Sequence, residues 1–307
     1  MRFFIMGGTG FVGAALINYL LDNGHEVTAL VRRPVKGEGL PSGTLTVNGD
    51  PLEPGEWQES AAQKDVIINL VGRPIMTRWT KEAKTEIMES RGRSTRMAVE
   101  AISQEDAVNT TLINANAVGY YGGDGGRDEI FTEDSPAGKD FLAEVCIRWQ
   151  EEAQGALRKG SRVVIARFGA VLGMGGGILG QMIPIFKLGL GGHLGSGNQW
   201  FSWLHIHDLC RAILFVSENK NISGVVNMTS PNPVTNKELT KTLSDILGRP
   251  AILPVPGFVL RIAVGGAAAL ALNSQRVIPV VLEKAGFAFD FPTIDYALSD
   301  ILEKWTF

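Results

Sequence analysis

The segment RFFIMGGTGFVGAALINYL, residues 2–20, joins an apolar strand pattern to a helical pattern through a glycine-rich turn. Gly7, Gly10 and Gly13 in this turn have the spacing GxxGxxG. The first glycine permits a tight turn, the second lets backbone amides approach a pyrophosphate, and the third lets helix and strand pack closely. Because a helix N-terminus favours anions, the segment predicts a dinucleotide site, with a tight turn that binds nothing as the alternative. The predicted cofactor-binding residues of this loop are Gly7, Thr9, Gly10, Phe11, Val12 and Gly13.

Strand-like runs alternate with helical patterns along the chain, as RFFIM, EVTALV, DVIINLVG, TTLINANAV, RVVIARFG and VVNMTS. Such alternation predicts an α/β fold, a Rossmann-type doubly wound parallel sheet with helices on both faces. SWLHIHDLCRAILFV predicts a further strand and helix that return to this sheet. Ten glycines among the 25 residues 173–197 suggest a connection that leaves the sheet, either a mobile lid or a static link. We expect the nucleotide-binding domain in 1–168 and 200–232, and a smaller C-terminal lobe in 169–199 and 233–307.

Composition and charge argue against some classes of binding partner. The chain has 307 residues, a formal charge of −3 and a pI near 5.9, so no basic footprint for nucleic acid is present. Cys146 and Cys210 lie in apolar segments without metal-ligand spacing, which is typical of buried thiols in a reducing compartment. FVLRIAVGGAAALALN is interrupted by Arg261 and is shorter than the roughly 20 residues that span a bilayer. We expect a cytoplasmic protein with a small-molecule substrate and without nucleic-acid or membrane partners; the oligomeric state is open.

The end of the second strand selects the cofactor. Sites that prefer NAD usually have an acidic residue there for the ribose 2′-hydroxyl, whereas EVTALVRRP ends in Arg32 and Arg33. A guanidinium would pair with a 2′-phosphate, so NADP(H) is predicted. The alternative is a solvated strand end.

Two later segments complete the predicted cofactor site. In NLVG, Leu70, Val71 and Gly72 follow a strand at the place where the chain can pass the adenine and ribose. Glu86 and Arg91 lie on the next helical pattern, which should pack against the sheet. They either point toward the cofactor or belong to an exposed charged face.

Several segments together resemble one protein family: GGTGFVG, DVIINLVGRPI, GYYG, RFGAVLGMGGGILGQMIPIFKLGLGG, GSGNQWFSWLHIHDL and SQRVIPVVLEKAGFAF. The chain resembles, over nearly its whole length, the atypical epimerase-like branch of the extended short-chain dehydrogenase/reductase superfamily. That branch includes nucleoside-diphosphate-sugar epimerases and members with a cell-division-inhibitor-like label. The resemblance implies NADP(H) binding, oxidoreductase or epimerase chemistry, and the small C-terminal domain of that family.

The chain differs from this superfamily at the positions of the usual catalytic residues. The superfamily uses a YxxxK pair, in which the ammonium stabilises the phenolate one helical turn away. FLAEV stands in that place, so Phe141 replaces the tyrosine and Val145 the lysine. Asn116 occupies the usual Ser or Thr position and is a candidate catalytic residue, because its amide can donate a hydrogen bond to a carbonyl, although it does not exchange protons near neutral pH. Phe141, Val145 and Trp149 are predicted to form an apolar stripe that faces inward. Glu144 and Arg148 form a possible i, i+4 pair on the exposed side of the helix.

Few groups are left to exchange a proton with a substrate. Tyr120 and Tyr121 are the phenols expected at the carboxyl edge of the sheet, with a role either in catalysis or in turn packing. His205 and His207 are interpreted as structural. Arg167, Gln275 and Arg276 are candidate substrate residues, which suit a carboxylate or phosphate unless internal ion pairs occupy them.

Two functions remain open from the sequence. One is an NADP(H)-dependent oxidoreductase or epimerase that acts on an unidentified small molecule through a non-standard acid. The other is an NADP(H)-binding sensor or regulatory protein without turnover.

Overall fold

The computed structural model describes residues 1–32, 39–123 and 128–304. Its central strands are β1 (Arg2–Met6), β2 (Glu26–Val31), β3 (Leu45–Asn48), β4 (Val66–Asn69), β5 (Thr111–Ala117), β7 (Arg162–Phe168) and β11 (Gly224–Met228). They form one seven-stranded parallel sheet in the order β11-β7-β5-β4-β1-β2-β3. The predicted Rossmann-type doubly wound fold is therefore confirmed. The edge strand β3 was not among the predicted runs, because its largely exposed residues form no apolar pattern.

Helices cover both faces of this sheet: α1 (Phe11–Asp22), α2 (Trp57–Ala62), α3 (Lys81–Ala101), α4 (Phe141–Arg158) and α6 (Ile206–Glu218). Side chains of β1 alternate between the two resulting cores, as strand geometry requires. Phe3 and Ile5 belong to the core that includes α1 and α6, while Phe4 and Met6 belong to the core that includes α2, α3 and α4. Burial on both faces explains why β1 reads as an unbroken apolar run.

Smaller elements complete the chain. The remaining helices are α5 (Leu179–Lys187), α7 (Asn236–Leu247), α8 (Gly257–Val264), α9 (Ala269–Leu272), α10 (Val280–Lys284) and α11 (Ile294–Glu303). The remaining strands are β6 (Ile130–Phe131), β8 (Ala170–Leu172), β9 (Trp200–Phe201), β10 (Trp203–His205), β12 (Val234–Thr235) and β13 (Arg276–Val277). Residues of α5, α7 and α11 share a third hydrophobic core with Leu172 and Trp203. The predicted domain boundaries stay a prediction.

One strand differs from the sequence prediction. β10 was expected to return to the central sheet, but it pairs with β8 in a separate two-stranded sheet. Only α6, which follows it, packs back onto the central sheet through the core shared with α1. The sequence pattern predicted the strand β10 correctly. Its pairing partner could not be predicted, because it depends on where the chain at 169–172 runs. Within the described ranges, no helix has the length and apolar character needed to cross a bilayer, and the cytoplasmic location stays a prediction.

Candidate cofactor and substrate cleft

The glycine loop between β1 and α1 is held by backbone contacts that exclude side chains. Gly7 has φ +87°, and a Cβ there would lie 3.0 Å from the carbonyl carbon of Leu70. A Cβ on Gly13 would lie 2.3 Å from the carbonyl oxygen of Gly7, so α1 could not approach the loop so closely. The roles that the sequence assigned to the first and third glycines are thus visible as contacts of this backbone.

The N-terminus of α1 presents amides without a competing side chain. Gly10 is the N-cap, no side-chain cap bond is made, and no acidic residue lies in the first turn. Thr9 and Gly10 are exposed, and Phe11 and Val12 are partly exposed. Helix N-termini carry unsatisfied N–H groups and a partial positive charge, so this opening fits a pyrophosphate.

The Phe11 side chain is fixed by the glycine-dense segment that follows β8. A Cβ on Gly176 would lie 2.5 Å from the Phe11 ring, and a Cβ on Gly173 would lie 2.9 Å from it. The absence of side chains at these positions lets the segment lie directly on the ring. This packing favours the static link over the mobile lid for the part of the segment next to the loop.

Arg32 follows β2 at the carboxyl edge of the sheet, in the strand next to β1. It is exposed, and among the described residues its side chain has no ion-pair or hydrogen-bond partner. An unpaired guanidinium beside the glycine loop fits a 2′-phosphate. Arg33 lies outside the described residues.

The chain after β4 is supported by a buried polar cluster. Asn69 donates its side-chain amide to Thr95 Oγ1 and Asn114 Oδ1, both at 3.0 Å, and accepts from the Val71 amide at 3.1 Å. Gly7 abuts the Leu70 carbonyl. The structure therefore brings the chain at 70–71 beside the glycine loop, and the contact of 70–72 with the cofactor stays a prediction.

Glu86 and Arg91 have partners within the protein. Glu86 is exposed and forms an ion pair with Arg73. Arg91 donates to the carbonyls of Arg73 and Ile87, and a Cβ on Gly72 would lie 2.9 Å from its guanidinium carbon. Burial lowers the pKa of Arg91 to about 10. Both side chains, which lie on helix α3, contact the turn after β4 in this structure. Their predicted contact with the cofactor stays a prediction.

Polar residues on three neighbouring strands form a row beneath the cleft. Asn116 on β5 and Asn227 on β11 both lie level with Arg167 on β7. Parallel register therefore creates a buried cluster from residues that are far apart in sequence. The side chain of Asn116 donates to the Cys146 carbonyl of α4 at 3.0 Å, and its oxygen accepts from the Ala117 amide. Asn116 therefore fixes α4 to the strand in this structure, and its predicted role at a substrate stays a prediction.

Tyr121 and Arg167 belong to this buried cluster. The Tyr121 hydroxyl accepts from Arg167 Nη1 at 2.9 Å and donates to Asn227 Oδ1 at 2.7 Å. Burial raises the pKa of Tyr121. Arg167 is 1% exposed and also donates to Gln150 of α4 at 3.0 Å. Its Nη1 and Nη2 groups donate to protein groups, whereas Nε is buried without a hydrogen-bond partner among the described residues. The predicted substrate contact of Arg167 stays a prediction.

Tyr120 differs from its neighbour. It is partly exposed, and its ring lies 3.4 Å from the Arg167 guanidinium carbon, which contacts its face. Among the described residues its hydroxyl has no hydrogen-bond partner. Of the two tyrosines at this turn, Tyr120 is therefore the one whose hydroxyl is not bonded to another group in the ranges that the structure describes.

The C-terminal segment meets the turn that carries Tyr120 and Tyr121. Gln275 donates to the Gly122 carbonyl at 2.9 Å, so it connects the lobe to the turn that carries both tyrosines. Arg276 stacks on Trp200 and forms a 2.8 Å ion pair with Asp128, whose carboxylate is exposed. A ligand anion can replace an exposed partner of this kind, so Arg276 is the predicted substrate residue that stays accessible.

The start of α4 carries the residues that stand in place of YxxxK. Phe141 contacts the Trp79 ring at 5.0 Å between centroids, and Lys84 Nζ lies 4.7 Å from its ring. Val145 and Trp149 are buried, so the predicted apolar stripe faces inward. The expected Glu144–Arg148 pair is wrong within the described residues, because Arg148 lies 3.9 Å from Glu89 of α3 instead.

The two histidines have structural positions. His205 Nδ1 accepts from the His207 amide at 3.1 Å and caps α6, while its ring stacks on Phe291. His207 lies 3.2 Å from the Asp290 carboxylate. The sequence analysis missed Asn227 and Gln150; the available signal was a polar residue within the apolar run VVNM and another on the inward side of α4.

Comparisons with known proteins agree with this geometry. Residues 3–228 match the sequence profile of the NAD dependent epimerase/dehydratase family, and residues 255–301 match a domain of unknown function, DUF1731. The chain is 40% identical to the chloroplastic epimerase family protein SDR39U1 homolog of Arabidopsis thaliana, covering 97% of this chain and 86% of that one. It is 37% identical to the epimerase family protein YfhF of Bacillus subtilis, with 98% of each covered. The crystal structure of human epimerase family protein SDR39U1 (isoform 2) with NADPH superposes with a TM-score of 0.85, at 34% identity and 99% coverage of both chains.

Proposed function

The chain belongs to the NAD dependent epimerase/dehydratase family, and from this premise we propose that it is an NADP(H)-dependent oxidoreductase or epimerase acting on a small molecule. The observation that carries the proposal is the uncapped N-terminus of α1 with Arg32 beside it, whose side chain has no partner within the described part of the chain. The amides suit a pyrophosphate and the guanidinium suits a 2′-phosphate. The human relative that was crystallised with NADPH supports the same cofactor.

Cofactor preference is tested by titrating the protein with NADPH and NADH. We expect tighter binding of NADPH in the parent protein. Arg32→Ala should weaken NADPH binding roughly ten- to a hundredfold, because a hydrogen bond to a charged group contributes about 1.5–3 kcal/mol. NADH binding should change little. Arg158→Ala, at the exposed far end of α4, is the matched control. Equal affinities of the parent protein for both cofactors would contradict the proposal.

Tyr120 is proposed as the group that exchanges the proton of the substrate. Bound NADP(H) supplies the donor or acceptor of hydride. A hydroxyl or carbonyl that reacts with it must lose or gain a proton, and Tyr120 is the phenol at this edge without a protein partner among the described residues. Arg167 lies against its ring face and fixes its orientation. Arg276 is proposed to attract a carboxylate or phosphate of the substrate.

Turnover is tested by following NADPH oxidation with a panel of small carbonyl compounds, with and without carboxylate or phosphate groups. We expect Tyr120→Phe to lower kcat while NADPH affinity is kept. Arg276→Gln should raise KM for the anionic compounds alone. Turnover that survives Tyr120→Phe would exclude Tyr120 as the acid.

The second candidate is an NADP(H)-binding protein without turnover. It is favoured by the internal bonds that occupy Asn116 and Tyr121, and by the apolar side chains of Phe141 and Val145. Tight NADPH binding without reduction of any compound in the panel, and without epimerisation of nucleotide sugars, would support it.

A further inference from the structure

A contiguous apolar surface lies on the C-terminal lobe. We call it the α8 surface, and its main exposed side chains are Leu188, Leu190, Ile252, Leu253, Phe258 and Ile262. Ile252 is 76% exposed, Ile262 75%, Leu188 73% and Phe258 64%. No residue of α8 is buried. Exposed apolar patches on a soluble chain mark interaction sites.

Backbone contacts join the parts of this surface. The Leu253 amide donates to the Gly191 carbonyl at 3.1 Å, and the Val255 amide donates to the His193 carbonyl at 2.9 Å. The chain at 188–195 therefore runs beside 252–255, which leads directly into α8. Phe258 and Ile262 lie four residues apart on one side of that helix.

The sequence segments that form the α8 surface, 187–190 and 249–264, carry charges of one sign. Lys187, Arg249 and Arg261 are exposed, and among the described residues their side chains have no carboxylate partner. The sequence has no Asp or Glu between Glu152 and Asp208, and none between Asp245 and Glu283. A partner that complements this surface must therefore have both apolar groups and negative charge.

We propose that the α8 surface docks on an anionic lipid bilayer. Side chains such as Phe258 and Ile262 would enter the headgroup boundary, while Arg261 and Lys187 contact lipid phosphates or carboxylates. A second copy of the chain fits poorly, because a two-fold interface would bring these unpaired cations together without acidic partners. Arg261 is unfavourable in a segment that spans a membrane, but it is favourable in a helix that lies on an anionic membrane surface.

The test is co-sedimentation of the full-length protein with vesicles. One set contains phosphatidylcholine alone, and the other contains phosphatidylcholine with phosphatidylserine. We expect binding to the second set that weakens as salt is added. Replacing Phe258 and Ile262 together by Ser should lower the partition coefficient roughly tenfold or more, and Arg261→Glu should lower it roughly fivefold or more.

A matched control replaces Val108 and Leu157 by Ser, since both are exposed apolar residues outside this surface. This variant should bind vesicles as the parent does, and all variants should keep the parent's thermal unfolding midpoint. The proposal is overturned if neither vesicle binds, or if both bind equally. It is also overturned if analytical ultracentrifugation shows a dimer that the double Ser change dissociates, because a second copy would then cover the surface.

Discussion

Tyr121→Phe removes the hydroxyl that connects β7 and β11 beneath the candidate cleft. In the folded protein this hydroxyl accepts from Arg167 at 2.9 Å and donates to Asn227 at 2.7 Å. Without it, the Asn227 side-chain oxygen is left buried without a donor, and Arg167 loses one acceptor. A buried acceptor without a partner costs about 1–3 kcal/mol, and a bond to a charged group contributes about 1.5–3 kcal/mol. Since Arg167 keeps its bond to Gln150, we expect a total loss of about 2–4 kcal/mol in the free energy of unfolding.

The measurement is equilibrium urea unfolding, followed by tryptophan fluorescence and by far-ultraviolet circular dichroism. The midpoint should fall while the slope with urea is unchanged, because the surface exposed on unfolding stays the same. Tyr120→Phe is the matched control. Its ring still covers Arg167, and its hydroxyl has no partner among the described residues, so stability should change by less than about 0.5 kcal/mol. If Tyr121→Phe proved as stable as Tyr120→Phe, the buried hydroxyl would not be a structural element and our reasoning would fail.

Three further changes test other parts of the molecule. Gly13→Ala places a Cβ 2.3 Å from the Gly7 carbonyl oxygen, so we expect a loss of about 1–3 kcal/mol in a urea titration, whereas Gly10→Ala, with 3.3 Å to the same atom, should lose less. Burial lowers the pKa of His205 to about 4 from 6.5, so its neutral form stabilises the fold above pH 6.5, and up to about 3 kcal/mol is lost as the pH falls toward 4. His205→Asn keeps a capping acceptor for α6 and should flatten this part of the pH profile; an unchanged profile would exclude His205 as its source. Phe141→Tyr should create no epimerase activity on nucleotide sugars, because Val145 supplies no ammonium to stabilise a phenolate; robust turnover by this variant would contradict that account.

Patterns that depend on local geometry were predictable from the sequence. The glycine spacing at 7–13 predicted the loop, because Gly7 has a positive φ and a Cβ at Gly13 would collide with the backbone of Gly7 and Gly8. Apolar runs of strand length predicted six strands of the central sheet, since burial on both faces leaves little freedom in their composition. The period of α4 likewise predicted that Val145 and Trp149 face inward.

Other features depended on which distant residues came together. The surroundings of Arg167 were decided by residues that are distant in sequence. Arg167 binds Tyr121, which is 46 positions away, and Tyr121 binds Asn227, which is 106 positions away. β10 has the composition of a sheet strand, yet β8 was its neighbour. Phe258 and Ile262 would be expected in the core from their apolar side chains alone, yet both are exposed. The side chain of a residue determines how much free energy its burial would contribute, but only the packing of other elements against it decides whether it is buried.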